Sequence, residues 1–177
     1  MKSTPQLQQI VTQIAAKHGV DLAGAGTHLR LEMAGHGQLV IENIGASRVS
    51  VTNYIEVNQD WIADPQVVLY SASMAAAEVS ASPVSVWIPL EITDLFDGWR
   101  LYAELDVQDG LALYDPTGQA ELARFGDDVL ARNLRRHGWL EQGQRSTAPF
   151  RAWSEDEILA RDIRSDEMMD AGEETAA

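Results

Sequence analysis

Residues 48–57 alternate between apolar and polar side chains, and this pattern limits the fold more than any other feature of the chain. Successive side chains of a β-strand point to opposite faces of a sheet, so a period of two predicts a strand with one buried face. That face holds Val49, Val51, Ile55 and Val57, and Asn53 falls on the same side. A second strand-like run at 66–72 follows, so we predict an antiparallel hairpin over 48–72 in the middle of a sheet.

Similar patterns predict further strands on both sides of this hairpin. Alternation over 27–45, with Gly-His-Gly at 35–37, predicts an earlier hairpin. Residues 84–93 alternate too, but Pro89 cannot donate a ladder hydrogen bond, so we expect an edge strand or a break there. The small residues 73–83 before that strand are compatible with one helical turn.

Local signals define the next elements. Asp-Gly pairs at 97–98 and 109–110 separate strand-like runs and predict two more hairpins, because tight primed turns need positive φ. Near the N-terminus, residues 5–18 place apolar side chains at helical spacing, with Thr4 as the expected cap and Pro5 at the first helical position.

Helical spacing returns after the last hairpin. Residues 117–125 and 127–138 predict two helices, with Asp127 as a cap and Gly138 as a stop. The predicted fold class is therefore α+β, an antiparallel β-meander flanked by an N-terminal helix and C-terminal helices, in a single domain over 5–142.

Composition narrows the class of protein further. A chain of 177 residues that is 45% hydrophobic is long enough for one ordinary core. The absence of cysteine excludes disulfides, thiolate metal sites and a thiol nucleophile. The N-terminal residues are too polar for a signal peptide, and no apolar run approaches the roughly 20 residues of a membrane span, so we expect a cytoplasmic protein with no membrane partner.

The formal net charge of −14 points to a basic protein as the favoured partner. One basic cluster interrupts this acidity and consists of Arg132, Arg135, Arg136 and His137. These charges stand near a predicted helix C-terminus, where cations are stabilised by the helix dipole. Direct nucleic-acid binding is therefore not expected.

The C-terminal residues 143–177 are predicted to be an acidic tail, partly disordered and separable from the fold. Residues 154–177 hold nine acidic side chains against two arginines. A segment this charged has little apolar area to offset the entropy lost on ordering.

No standard catalytic or cofactor motif is present, so no cofactor is expected and the chain is interpreted as a binding protein more readily than as an enzyme. The candidate binding residues are Asn53, Tyr54, Glu56, Asn58, Asp60, Trp61 and Asp64. We predict a loop over 58–65 that is ordered because Trp61 is buried. Asn53 is expected to be partly buried and hydrogen-bonded to a polar group of that loop.

The carboxylates of the same segment leave a metal site open as an alternative. Glu56, Asn58, Asp60 and Asp64 offer the oxygen ligands that magnesium and calcium prefer. The spacing is not that of an EF-hand, because the bend glycine and the twelfth-position glutamate are missing. The competing interpretation is that these side chains cap their own turns.

Residues 53–65 resemble an uncharacterised domain family that recurs on plasmids, integrative elements and phages of bacteria. Its members carry His-Tyr, then Glu-Gln-Asn-Gly-Asp, then Asp-Pro-Glu, and later a helix with Asn-Leu. The matching residues here are Asn53, Tyr54, Glu56, Asn58, Asp60, Asp64 and Pro65, and 39–45 and 131–140 are similar too. This chain departs from the pattern at Asn53, Gln59 and Gln66. The resemblance spans roughly residues 5–142 and implies a fold and a mobile-element context, but no reaction.

Two functions follow as hypotheses. The first is a non-catalytic accessory or counter-defence factor of a mobile element that binds a basic protein through its acidic surface. A DNA-mimicking anti-restriction protein and an inhibitor of a basic nuclease are both special cases of it. The second is a metal-dependent hydrolase that uses the carboxylates of the 56–64 hairpin loop.

Overall fold

Nine strands follow the alternating stretches of the sequence in the computed structural model, which describes residues 1–58, 60–74, 84–106 and 110–146. They are β1 (His28–Met33), β2 (Gly37–Gly45), β3 (Arg48–Val57), β4 (Asp60–Met74), β5 (Val84–Asp94), β6 (Gly98–Leu101), β7 (Ala103–Asp106), β8 (Gly110–Leu113) and β9 (Gln144–Arg145). Seven of them form one antiparallel sheet in the order β6-β5-β4-β3-β2-β1-β9, and β7 pairs with β8 separately.

Helices precede and follow the strands, so the α+β prediction is confirmed. They are α1 (Pro5–Lys17), α2 (Pro116–Arg124), α3 (Ala131–His137) and α4 (Trp139–Gln142), with a π-helical segment, Phe125–Leu130, between α2 and α3. No helix in the described part of the chain is long and apolar enough to span a membrane. The acidic tail from residue 147 and residues 75–83 of the small-residue connection lie outside the described residues.

The hydrophobic core lies between the helices and one face of the main sheet. The strand side chains of the core include Leu31, Ile41, Val49, Val51, Val67 and Leu69, and α1 contributes Leu7, Ile10, Val11 and Ile14. The apolar face predicted for 48–57 is therefore the face that the helices cover. The compact unit of Met1–Ser146 includes β9, which pairs with β1.

The central hairpin is confirmed, but the predicted 58–65 loop is wrong. Strand β4 begins at Asp60, and Val57 pairs with Asp60 and Glu56 with Trp61. Pairing continues to the end of β3 because the turn needs few residues once Asn58 adopts a positive φ of 53°.

A bulge interrupts this pairing next to Asn53. Thr52 pairs with Gln66 and Tyr54 with Ala63, so two residues of β4, Asp64 and Pro65, oppose one residue of β3. The Asp64–Pro65 peptide bond is cis. Proline has no N–H to donate to a ladder, and a bulge is one of the places in a sheet where it is tolerated.

The prediction of an edge strand or a break at Pro89 is correct in part. Strand β5 is not the edge of the described sheet, but its segment with Pro89 pairs with β4 alone. Strand β5 pairs with β4 over most of its length and with β6 from Glu91 to Asp94. A register shift accommodates the proline, because Val68 pairs with Glu91 and the next residue, Leu69, with Pro89.

Two predicted helix caps are corrected by the structure. The Thr4 side chain makes no capping bond, and its hydroxyl instead donates to the carbonyl of Trp87 at 3.3 Å. Asp127 does not begin a helix, because α2, the π-helical segment and α3 follow one another directly. The helix start here is capped by Asp115, whose side chain accepts from Thr117 and Gly118.

Candidate functional site

A cleft of about 1510 Å³ lies where two hairpin turns of the sheet meet the end of α3 and the start of α4. We call it the hairpin cleft. The β1–β2 turn contributes residues 32–38, β3 and β4 contribute residues between 53 and 65, and the helical side contributes residues between 130 and 144. The antiparallel order places both turns at the same end of the sheet.

The hairpin cleft collects four of the seven predicted binding residues. Asn53, Glu56, Trp61 and Asp64 line it, whereas Tyr54, Asn58 and Asp60 do not. The Tyr54 side chain is partly buried outside the cleft. There, burial and the nearby charge of Glu42 raise the pKa of the Tyr54 phenol.

Trp61 is 44% exposed, so the prediction that it is buried is wrong. Its position explains the exposure. Trp61 pairs with Glu56 near the turn of the hairpin, whereas the buried residues of β3 end at Thr52. The indole therefore stands at the cleft, beyond the part of the sheet that the core covers.

The predicted partial burial and hydrogen bond of Asn53 are confirmed. This side chain is partly buried, and its Nδ2 donates to the backbone carbonyl of Asp64 at 3.2 Å. The acceptor lies in the bulge of β4, where ladder pairing is interrupted. The amide thus gives this carbonyl a hydrogen-bond donor at an irregular point of the ladder.

Acidic side chains dominate the charged residues of the hairpin cleft. The described lining residues include four carboxylates, those of Glu32, Glu56, Asp64 and Glu141. Lys17 is the only lysine or arginine among these described lining residues. The Lys17 ammonium donates to the backbone carbonyl oxygens of Leu140 and Glu141. Its charge is therefore directed at the C-terminal end of the short helix α4, where the exposed carbonyls attract a cation.

Two histidines form part of the cleft wall and make a contact between the β1–β2 turn and α3. The rings of His36, in the β1–β2 turn, and His137, at the end of α3, stack with centroids 4.4 Å apart and planes inclined by 29°. Loss of hydration lowers the pKa of His137, and the neighbouring His36 and Arg136 lower it further.

Asn133, His36 and His137 were missed as site residues in the sequence. Asn133 lies in 131–140, the second segment on which the family resemblance depends, and it lines the same cleft as Asn53. That resemblance was the one available signal. Spacing within 131–140 shows which side of the helix is apolar, but not which hairpin turn lies against its end.

Two other kinds of site, a metal site and a basic surface, have less support in the described residues. No group of three or more histidine, aspartate or glutamate side chains is placed there to hold a metal ion. The basic cluster lines a smaller groove of about 690 Å³, in which Asp127 and Asp128 stand among Arg132, Arg135 and Arg136. Carboxylates thus interrupt the positive surface.

Comparisons with known proteins give one match. No curated protein and no solved structure is significantly similar to this chain. A family model described as a domain of unknown function, DUF6908, matches residues 9–140. This range runs from α1 to α4 and includes most of the hairpin cleft. Since the match covers more than half of the sequence, the chain belongs to the DUF6908 family.

Proposed function

We propose that this protein is a non-catalytic binding protein that accepts a basic segment of a partner protein in the hairpin cleft. The observation that carries this proposal is the placement of Glu32, Glu56, Asp64 and Glu141 around one cleft whose lysine is already bound to backbone carbonyls. A partner that brings lysine or arginine side chains would neutralise these carboxylates.

The size of the hairpin cleft favours a segment of a macromolecule over a small ligand. Small-molecule sites have volumes of about 300–1,000 Å³ and enclose most of the ligand. The hairpin cleft has about 1510 Å³, and Glu32, Glu56, Trp61 and Glu141 on its walls are exposed. A wide site with accessible walls suits an extended peptide or a loop.

The charge of the whole chain supports the same kind of partner. A net charge of −14 attracts basic proteins over a range set by the ionic strength, and it repels the phosphate backbone of nucleic acids. Long-range attraction increases the rate of encounter, whereas the cleft provides the contacts that decide where the partner binds.

The biological setting that we propose is a mobile genetic element of bacteria, in which the protein acts as an accessory or counter-defence factor. The support is the resemblance of residues 53–65 and 131–140 to a family found on such elements. Both segments contribute side chains to the hairpin cleft, so the resemblance and the acidic site refer to one surface.

Removal of two cleft charges tests the proposed function. We expect the double variant Glu56→Gln, Asp64→Asn to bind a basic peptide about three- to tenfold more weakly than the unaltered chain, since each accessible ion pair is worth up to about 1 kcal/mol. Calorimetric titration at low ionic strength measures this change. The amide variants keep the size and hydrogen-bonding oxygen of each side chain.

The matched control is the double variant Glu121→Gln, Asp128→Asn, which removes the same charge from exposed positions on the helical side outside the cleft. It should retain most of the affinity. Equal weakening by both double variants would show that net charge alone attracts the peptide, and the cleft would lose its assigned role.

A further inference from the structure

Glu56 and Trp61 form a directly opposed pair at the hairpin cleft. They are register partners on the antiparallel strands β3 and β4, so their side chains leave the same face of the sheet with Cβ atoms about 4.5–5.5 Å apart. Both line the cleft. A flat aromatic ring and a carboxylate are thereby held side by side on one hairpin.

Neither member of this pair is engaged by another group in the described part of the chain. Glu56 is exposed, and its carboxylate forms no ion pair and accepts no hydrogen bond there. Trp61 is 44% exposed and its indole N–H donates no hydrogen bond to a described residue. This contrasts with Trp99, which is also exposed but donates to Glu91 at 3.0 Å.

We propose that Glu56 and Trp61 form a subsite for an arginine side chain of the partner. The proposal rests on the proposed function, because it assumes that a basic segment enters the cleft. A guanidinium group is planar, so it can stack on the indole of Trp61 while its N–H groups donate to the Glu56 carboxylate. One arginine thus satisfies both members of the pair at once.

Lysine is expected to fit the same place less well. Its ammonium is a compact and strongly hydrated charge that cannot stack as a plane or donate in a two-pronged geometry to a carboxylate. It still pairs with the cleft carboxylates as a point charge. The subsite therefore predicts a preference between two basic residues, which net charge alone does not predict.

Titration with two peptides tests this preference in the full chain. The probes are an oligoarginine and an oligolysine of equal length and charge, and calorimetry gives each dissociation constant. We expect the arginine peptide to bind about two- to fivefold more tightly, which is the range of a cation–π contact at an exposed site.

Two variants separate the roles of the pair. Trp61→Leu should abolish the preference for arginine and leave the lysine affinity nearly unchanged, because it removes the stacking plane but no charge. Glu56→Gln should weaken both peptides. Trp99→Leu is the matched control, since this exposed tryptophan does not line the cleft, and it should retain the preference.

The possible results test the arginine subsite separately from the proposed function. Equal binding of both peptides, or a preference that survives Trp61→Leu, would overturn the arginine subsite and leave the binding of basic segments intact. Loss of the preference in Trp99→Leu as well as in Trp61→Leu would also overturn it. Failure of both peptides to bind would overturn the proposed function together with the subsite.

Discussion

Asp127 lies in the π-helical segment, and its Oδ1 accepts hydrogen bonds from the backbone N–H groups of Gln6 and Leu7 at 2.9 and 3.0 Å. These groups belong to the first turn of α1, which Thr4 leaves without a side-chain cap. The first N–H groups of a helix have no partner within the helix, and a carboxylate there also interacts favourably with the helix dipole. Asp127 therefore connects the π-helical segment to the first turn of α1.

Replacement of this carboxylate should lower the stability of the whole protein. We expect Asp127→Ala to decrease the free energy of unfolding by about 0.5–2 kcal/mol, the usual cost of losing a helix cap. Urea denaturation measures the change. Asp128→Ala is a matched control, because Asp128 is exposed and makes no hydrogen bond to a described residue. A similar loss in both variants would assign the effect to the helix that carries them.

The sequence could not identify this role of Asp127, although it marked the residue as a cap. Capping residues are recognised by their position before an apolar periodic run, and Asp127 stands at such a position. The pattern contains no information on a distant helix that ends beside it. Asn53 shows the opposite case, since a polar residue on an apolar strand face by itself indicates a buried hydrogen bond.

At the scale of elements, the β1–β2 turn brings β2 into close contact with β3. Gly37 has a φ of +76°, and a Cβ added to it would lie 2.1 Å from the backbone carbonyl oxygen of Tyr54. Gly35 in the same turn has a φ of +78°, but a Cβ there would meet no atom within 4 Å. Comparison of the two glycines therefore separates the cost of a positive φ from the cost of crowding against the β3 backbone.

Alanine substitutions at the two glycines should differ in their cost. Gly35→Ala is expected to lose about 1–2 kcal/mol, because L-residues are strained at positive φ. Gly37→Ala should lose about 2–5 kcal/mol, since displacement of the β3 backbone is added to the same strain. Thermal unfolding of the two variants gives the comparison, and equal losses would mean that the strands separate without cost.

Elements defined by local patterns were predictable, whereas their ends and partners were not. Alternation over 48–57 and the Asp-Gly pairs specify hairpins within a few residues, because turn geometry and strand period are local properties. The start of β4 at Asp60 depends on how far pairing continues beyond the core. The cleft depends on contacts between distant parts of the chain, such as that of His36 with His137, which single-sequence patterns do not record.

At the scale of the whole molecule, two histidines lie at the C-terminal ends of helices. His137 ends α3 and stacks on His36 of the β1–β2 turn, and His18 follows α1. The Nε2 atom of His18 is buried without a hydrogen-bond partner in the described chain. Burial lowers the pKa of His18, and the charges of Lys17 and Arg145 lower it further.

Lowered histidine pKa values predict that acid destabilises the fold. The unfolded chain binds a proton at each histidine near pH 6.5, whereas folded His18 and His137 bind it only at lower pH. As the pH falls through about 6.5, the unfolded state therefore holds more protons than the folded state. The free energy of unfolding should for this reason fall as pH decreases from about 7 to about 5. Denaturation at a series of pH values should show a weaker dependence for the double variant His18→Gln, His137→Gln. The control His28→Gln, exposed on β1, should keep the full dependence, and a double variant that behaves like the unaltered chain would refute this account.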